Sequence, residues 1–178
     1  GMSPGHPFAL LCGWAERTAY RDADVVVSML PKVQQHMASR GLDLQKLCIV
    51  PNGISPDEWN SEPPPLREDV VAVITAAQAA GHQVLGYAGS MGRPNALDTL
   101  LDAAALLQGE PVQIVLVGDG HERERLQARI AAEGLAARVH WLPPIAKAQI
   151  PRFLAAIDIA YIGWQRVPIY RFGIAPNK

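Results

Sequence analysis

The sequence predicts an α/β fold, a parallel sheet with flanking helices. Three observations predict it. Short apolar runs of strand length alternate with helical patterns along most of the chain. One of these runs, "VQIVLVG" at 112–118, is apolar at every position but Gln113, as expected of a strand covered on both faces. Glycines recur where helical patterns end and where strands run out, the places where such a chain has to turn.

The elements follow in order. Residues 8–22 have a helical pattern. "VVVSML" (25–30) is a β-branched strand run. Pro31 suits the first turn of a helix through Arg40, and Gly41 suits its stop. "KLCIV" (46–50) is the next strand. "PNGISPDEW" and "NSEPPPLRED" then bring a concentration of turn formers, with Pro63, Pro64 and Pro65 as a stiff spacer. Residues 66–80 are helical and capped by Gly81. "QVLGYAG" from Gln83 is a strand. In "ALDTLLDAAALLQ", Leu97, Leu100, Leu101, Ala104 and Leu107 share one helix face. The strand 112–118 leads to a charged helix "HERERLQARIAAEGL", then the strand "RVHWL" (138–142). A short helix, "AQIPRFLAAI", has Pro151 in its first turn, and "DIAYIGW" (158–164) is the last strand. Pro176 and Asn177 read as the entry to a further helix.

Composition narrows the function. Apolar residues make up 49% of 178, enough for a packed core. The net charge of -1 provides no basic field for nucleic acid. No run reaches the roughly 18 apolar residues of a membrane span, and a cytoplasmic protein is expected. Cys12 and Cys48 suggest neither a disulfide framework nor a zinc site and are read as buried or inert thiols. Ser-His-Asp spacing, a Walker loop, a His-Glu zinc pattern and a close carboxylate pair are all lacking, so metal or triad hydrolysis has no support.

In an open parallel sheet, ligands bind beyond the carboxyl ends of the strands. The first such end is "AGSMGRPN". Gly89 and Gly92 permit a sharp turn, Ser90 and Met91 lie between them, and Arg93 adds a phosphate-matching guanidinium. A plain strand-to-helix turn with a solvated arginine is the alternative. The second is "VGDGHERERL", where Gly118 and Gly120 flank Asp119. The dinucleotide fingerprint is incomplete there, and Asp119 reads equally as the cap of the next helix. The third is "HWLPPIAK", where Pro144 and Ile145 offer a kinked apolar edge to a base, and His140 reads as a packed strand residue. The fourth, "GWQRVPIYRFGIAPNK", carries Arg166, Arg171 and Lys178, with Lys178 a candidate phosphate ligand.

Taken in order, "ADVVVSMLPKVQQHM", "KLCIVPNGISPDEW", "VLGYAGSMGRPNALDTLLDAA", "IVLVGDGHERERL", "RVHWLPPIAKAQIPRFLAAIDIAYI" and "YRFGIAPNK" resemble the retaining glycosyltransferases of family 4 (group 1). The resemblance runs from about Trp14 and implies a partial GT-B fold built of Rossmann-like domains. It implies that 1–50 close the N-terminal, acceptor-binding domain. It makes 51–82 a hinge with a helix, and 83–178 a truncated donor-binding domain. The family uses a UDP- or GDP-sugar as substrate, with no cofactor and no metal, and a glycan or lipid-linked acceptor.

Carried over by position, the usual cationic pair of the glycine-rich loop falls on Ser90 and Asn95, with Arg93 as a substitute. The first of two signature glutamates falls near Gly173, and the second lies past Lys178. The resemblance thus implies an active parent enzyme and an inactive isolated chain. It also implies polysaccharide biosynthesis with peripheral membrane association, and pairing of copies through apolar surface left uncovered. The alternatives are a non-catalytic nucleotide-sugar-binding or interaction module and a GT-B sugar-nucleotide epimerase.

Overall fold

The structure, a computed structural model, describes residue 3 and residues 5–174. The chain forms two compact units. The first runs through Ile54 and includes the segment from Arg166; the second is Ser55–Gln165.

In the first unit, α1 (Pro7–Asp22) is followed by β1 (Val26–Ser28), α2 (Gln34–Ser39) and β2 (Leu47–Ile49). β1 and β2 pair in parallel, Val26 with Leu47 through Ser28 with Ile49. Gly41 ends the α2 segment at φ +97°, as a glycine stop should. Pro31, however, is not in the first turn of that helix, because α2 begins only at Gln34. Residues 31–32 form a turn first. α1 buries none of its residues. Phe8, Leu10, Leu11 and Trp14 are exposed, as are Val25 just ahead of β1 and Val27 within it. Cys12 and Cys48 are also exposed, so of the two readings, buried or inert, burial does not hold.

The second unit is a four-stranded parallel sheet in the order β5-β4-β3-β6. A short helix, α3 (Pro56–Asn60), stands where the sequence predicts turns, and α4 (Glu68–Ala79) follows. β3 (Gln83–Ala88) leads to α5 (Leu97–Leu106), β4 (Val112–Val117) to α6 (Arg123–Ala132), and β5 (Val139–Leu142) to α7 (Ile150–Ala156). β6 is only Ile159–Ala160, far shorter than 158–164, because it pairs with β3 at Leu85 and Gly86 alone. Pro151 does sit in the first turn of α7.

The period of two along β4 sorts its side chains between two cores. Ile114 and Leu116 pack with Leu97, Leu100, Leu101 and Leu126 of α5 and α6. Val115 and Val117 pack with Val70 and Ile74 of α4 and with Phe153 of α7. All four β4 residues are at most 1% exposed, which is why 114–117 reads as continuously apolar.

The spacer at 63–65 is held in place. Both Arg152 Nε and Nη2 donate to the Pro63 carbonyl, at 3.0 and 2.7 Å. The Gln149 amide donates to the Pro65 carbonyl. These contacts fasten the chain entering α4 to the start of α7.

Candidate functional site

Three loops meet where β3, β4 and β5 end. Gly89 and Ser90, Gly118 and Asp119, and Pro144 and Ile145 line one open cavity of about 240 Å³, with Ile150 of α7 completing its apolar wall. Six of the predicted site residues are therefore brought together, from three separate stretches of sequence.

The glycines bring the first two loops close together. A Cβ on Gly118 would lie 1.9 Å from the Gly89 carbonyl oxygen, at a φ of +147°. One on Gly120 would lie 2.5 Å from the Met91 carbonyl oxygen. Only residues without a side chain permit this approach. Backbone bonds then join the loops: Met91 N–H donates to Asp119 O at 2.8 Å, and Glu122 N–H donates to Met91 O at 3.1 Å.

Met91 and Gly120 support this cavity but do not line it. The Met91 side chain is fully buried in the core under α5 and α6. Gly92 is also buried, and its carbonyl accepts the Asn95 N–H at 3.0 Å in the short 3-10 turn Arg93–Asn95. Asp119 does not cap α6, which starts four residues later with Glu122 at its N-cap. Instead its carboxylate accepts from the Gly120 N–H at 2.8 Å and pairs with Arg123 at 3.4 Å. Arg93 is 76% exposed at its side chain and lies 3.8 Å from Glu122. That carboxylate is only 12% exposed and is already held by Arg125 at 2.6 Å. Lys178 lies outside the described residues.

Further residues hold the loops, and of these Tyr87, Trp141 and Arg67 are not singled out by the sequence. The Tyr87 hydroxyl and the Asn95 amide both donate to the Ser90 carbonyl, each at 2.7 Å. Asn95 thus occupies the position expected of a cation as a buried brace. Trp141 Nε1 donates to Gly118 O at 3.2 Å. Arg67, ahead of α4, donates to the Pro144 carbonyl at 3.1 Å and steadies the third loop. His140 is half-buried on β5 and bonded to Gln113 at 2.9 Å, as a packed strand residue. Burial lowers its pKa from the usual imidazole value.

Burial also pushes the Tyr87 phenol up to about 12. The folded state therefore holds this proton above the pKa of about 10 of a free tyrosine. Tyr87 contributes stability that is fully present below pH 10 and is lost as pH rises toward 12. Alkaline denaturation of Tyr87→Phe should lose that part of its pH dependence. An unchanged alkaline limb would contradict the assignment.

Among the described residues, no group of three or more His, Cys, Asp or Glu side chains could hold a metal ion. No helix among them is long and apolar enough to cross a membrane.

Similarity to known proteins gives the family and the fold. Residues 76–176 match the family model "Glycosyl transferases group 1". A 2-deoxystreptamine glucosyltransferase of Streptomyces kanamyceticus is 24% identical over 147 residues, covering 81% of this chain and 38% of that enzyme. The crystal structure of Anabaena Alr3699/HepE in complex with UDP and glucose aligns with a TM-score of 0.65 at 24% identity. It covers 91% of this chain and 44% of that one. WaaG, a glycosyltransferase involved in lipopolysaccharide biosynthesis, aligns at a TM-score of 0.60 and 18% identity, over 90% of this chain and 44% of its own. The chain therefore spans less than half the length of these relatives. The structural likenesses bear out the α/β, Rossmann-like, partial GT-B fold. With the family model matching more than half of its residues, the chain belongs to the group 1 glycosyl transferases.

Proposed function

We propose that the cavity at the ends of β3, β4 and β5 receives the nucleoside diphosphate of a sugar nucleotide, in a retaining glycosyltransferase. One observation carries this reading. Three loops predicted separately as ligand-bearing converge on one cavity at the carboxyl edge of a parallel sheet, where such ligands bind. Gly89, Ser90, Gly118 and Asp119 line the diphosphate end, and Pro144 and Ile145 form the wall for the base. Arg93 leaves Glu122 to meet the phosphates, together with Lys178. These cations and the preorganised backbone stabilise the departing diphosphate. The HepE structure with UDP and glucose supports a UDP-sugar as donor.

On the same reading, 1–50 belong to an acceptor-binding domain, 51–82 form the hinge and 83–178 the donor domain. The acceptor is a glycan or lipid-linked sugar in polysaccharide biosynthesis, handled in the cytoplasm. The exposed Phe8, Leu10, Leu11 and Trp14 suit peripheral membrane association or the pairing of copies. The chain alone binds donor without transferring sugar; turnover of a labelled sugar nucleotide by this polypeptide would overturn that.

Calorimetry with UDP, UDP-glucose and GDP tests the donor reading. UDP is expected to bind with a saturable isotherm, and heat from none of the three overturns the site. Arg93→Ala should weaken UDP roughly three- to tenfold, the scale of one exposed charge-assisted contact. Its melting temperature should stay unchanged, because an exposed pair at 3.8 Å adds little stability.

A further inference from the structure

We infer that the first unit carries an anion-binding site of its own, shaped for a phosphate group. A cavity of about 750 Å³ on this unit is bordered by Lys32, His36 and Arg171, with Gln34, Gln35 and Ser39 as neutral hydrogen-bonding groups. No carboxylate lines it among the described residues.

Phe172 organises the three basic residues. Its carbonyl accepts the Lys32 N–H at 2.9 Å. Its ring lies 4.8 Å from the His36 ring, tilted by 39°. The Arg171 guanidinium lies 4.6 Å from the ring centroid, a cation-π contact. Segments more than 130 residues apart in sequence are thus fixed around one hollow. The next residue makes this return possible. Gly173 has φ +91°, and a Cβ there would lie 2.8 Å from Pro31 Cδ. A glycine is required for the tail to lie against Pro31 and present Arg171 beside α2.

The chemistry favours phosphate over carboxylate. A phosphate ester carries a charge of about -1.5 to -2 and three acceptor oxygens. The cavity matches that with a guanidinium fork, an ammonium, a ring nitrogen and two side-chain amides. A carboxylate, with one charge and two oxygens, leaves part of this donor set unused. The ligand is a free phosphate or the phosphate of an ester, and both present the same group.

Amide shifts of the 15N-labelled chain, titrated at 0.15 M salt with inorganic phosphate and with glucose 1-phosphate, test the inference. Saturable shifts at 32–36 and 171–172 are expected. Tighter binding of glucose 1-phosphate supports an ester as the natural ligand, and equal binding supports free phosphate. Arg171→Gln and Lys32→Gln should each weaken binding about tenfold, the scale of one charge-assisted contact. Arg171→Lys should fall between the Gln variant and the parent. All are surface substitutions, so an otherwise unchanged amide spectrum establishes that the fold is intact. Non-saturating shifts, or shifts confined to 89–93 and 118–120, overturn the inference. The second of those outcomes leaves the nucleotide reading standing, and failure of UDP to bind leaves this one standing.

Discussion

Gly118→Ala is expected to lower the unfolding free energy of the second unit by about 3 kcal/mol or more and to abolish nucleotide binding. The added Cβ would stand 1.9 Å from the Gly89 carbonyl oxygen and 3.2 Å from Met91 Cε. The sulfur arm of Met91 can yield, but the Gly89 carbonyl cannot. Gly89 N–H donates to Val117 O at 3.0 Å, and Ala88 is in register with Val117. Gly118 is held from the other side, its N–H on Leu142 O at 3.1 Å and its carbonyl accepting from Trp141. Relieving the clash means moving backbone where three strands end, and that backbone is the floor of the cavity.

Gly109→Ala is the matched comparison. Gly109 also has positive φ, +92°, but nothing lies within 4 Å of a Cβ there. It should cost about 1 kcal/mol, the strain of the left-handed conformation alone. Urea denaturation followed by far-UV circular dichroism, with UDP calorimetry on each variant, makes the comparison. If Gly118→Ala costs no more than Gly109→Ala, the close approach of the two loops is not what shapes the site.

The contrast between these two glycines bears on what the sequence makes legible. Both look alike as letters after an apolar or helical run. The type of each long element was readable because burial imposes a period. Ile114 and Leu116 face one core, and Val115 and Val117 face the other. The places of the three loops around the cavity were readable too, since glycine and proline mark where strands end. Side-chain direction within a loop was not. Met91 sits between two loop glycines yet is buried, and Arg93 turns to Glu122. The braces were least readable. Arg67 reaches Pro144 and Trp141 reaches Gly118 across long sequence separations, with no local pattern to announce either contact. β6 fell short of its apolar run because an edge strand is only as long as its pairing. Beyond Ala160, Tyr161 still donates its N–H to Gly86 O at 2.9 Å, and its hydroxyl reaches the Ala96 carbonyl at 2.9 Å.

Phe153→Ala should destabilise the second unit by about 3–5 kcal/mol, the cost of emptying a fully buried aromatic site. Phe153 is 0% exposed and is the only buried residue of α7, a helix of seven residues. So short a helix has little stability of its own and depends on this anchor. The seat for the ring is bare backbone. A Cβ on Gly86 of β3 would lie 3.0 Å from Phe153 Cζ and 2.5 Å from Ile157 Cδ1. Helix and strand therefore approach more closely than any larger residue at 86 would allow. The consequence reaches the cavity through α7 itself. Ile150 at its start completes the apolar wall beside Pro144 and Ile145. Gln149 and Arg152 hold residues 63–65 ahead of α4. A loosened α7 should therefore weaken UDP about tenfold, although Phe153 does not line the cavity. Phe153→Leu keeps much of the volume, should cost only about 1–1.5 kcal/mol, and should leave affinity nearly unchanged. Hydrogen exchange separates local from global effects. Amides of α7 should open faster than those of β4 in the alanine variant. If UDP affinity survives Phe153→Ala while the α7 amides exchange freely, the apolar wall contributes nothing to binding, and the base must be held by the glycine loops alone.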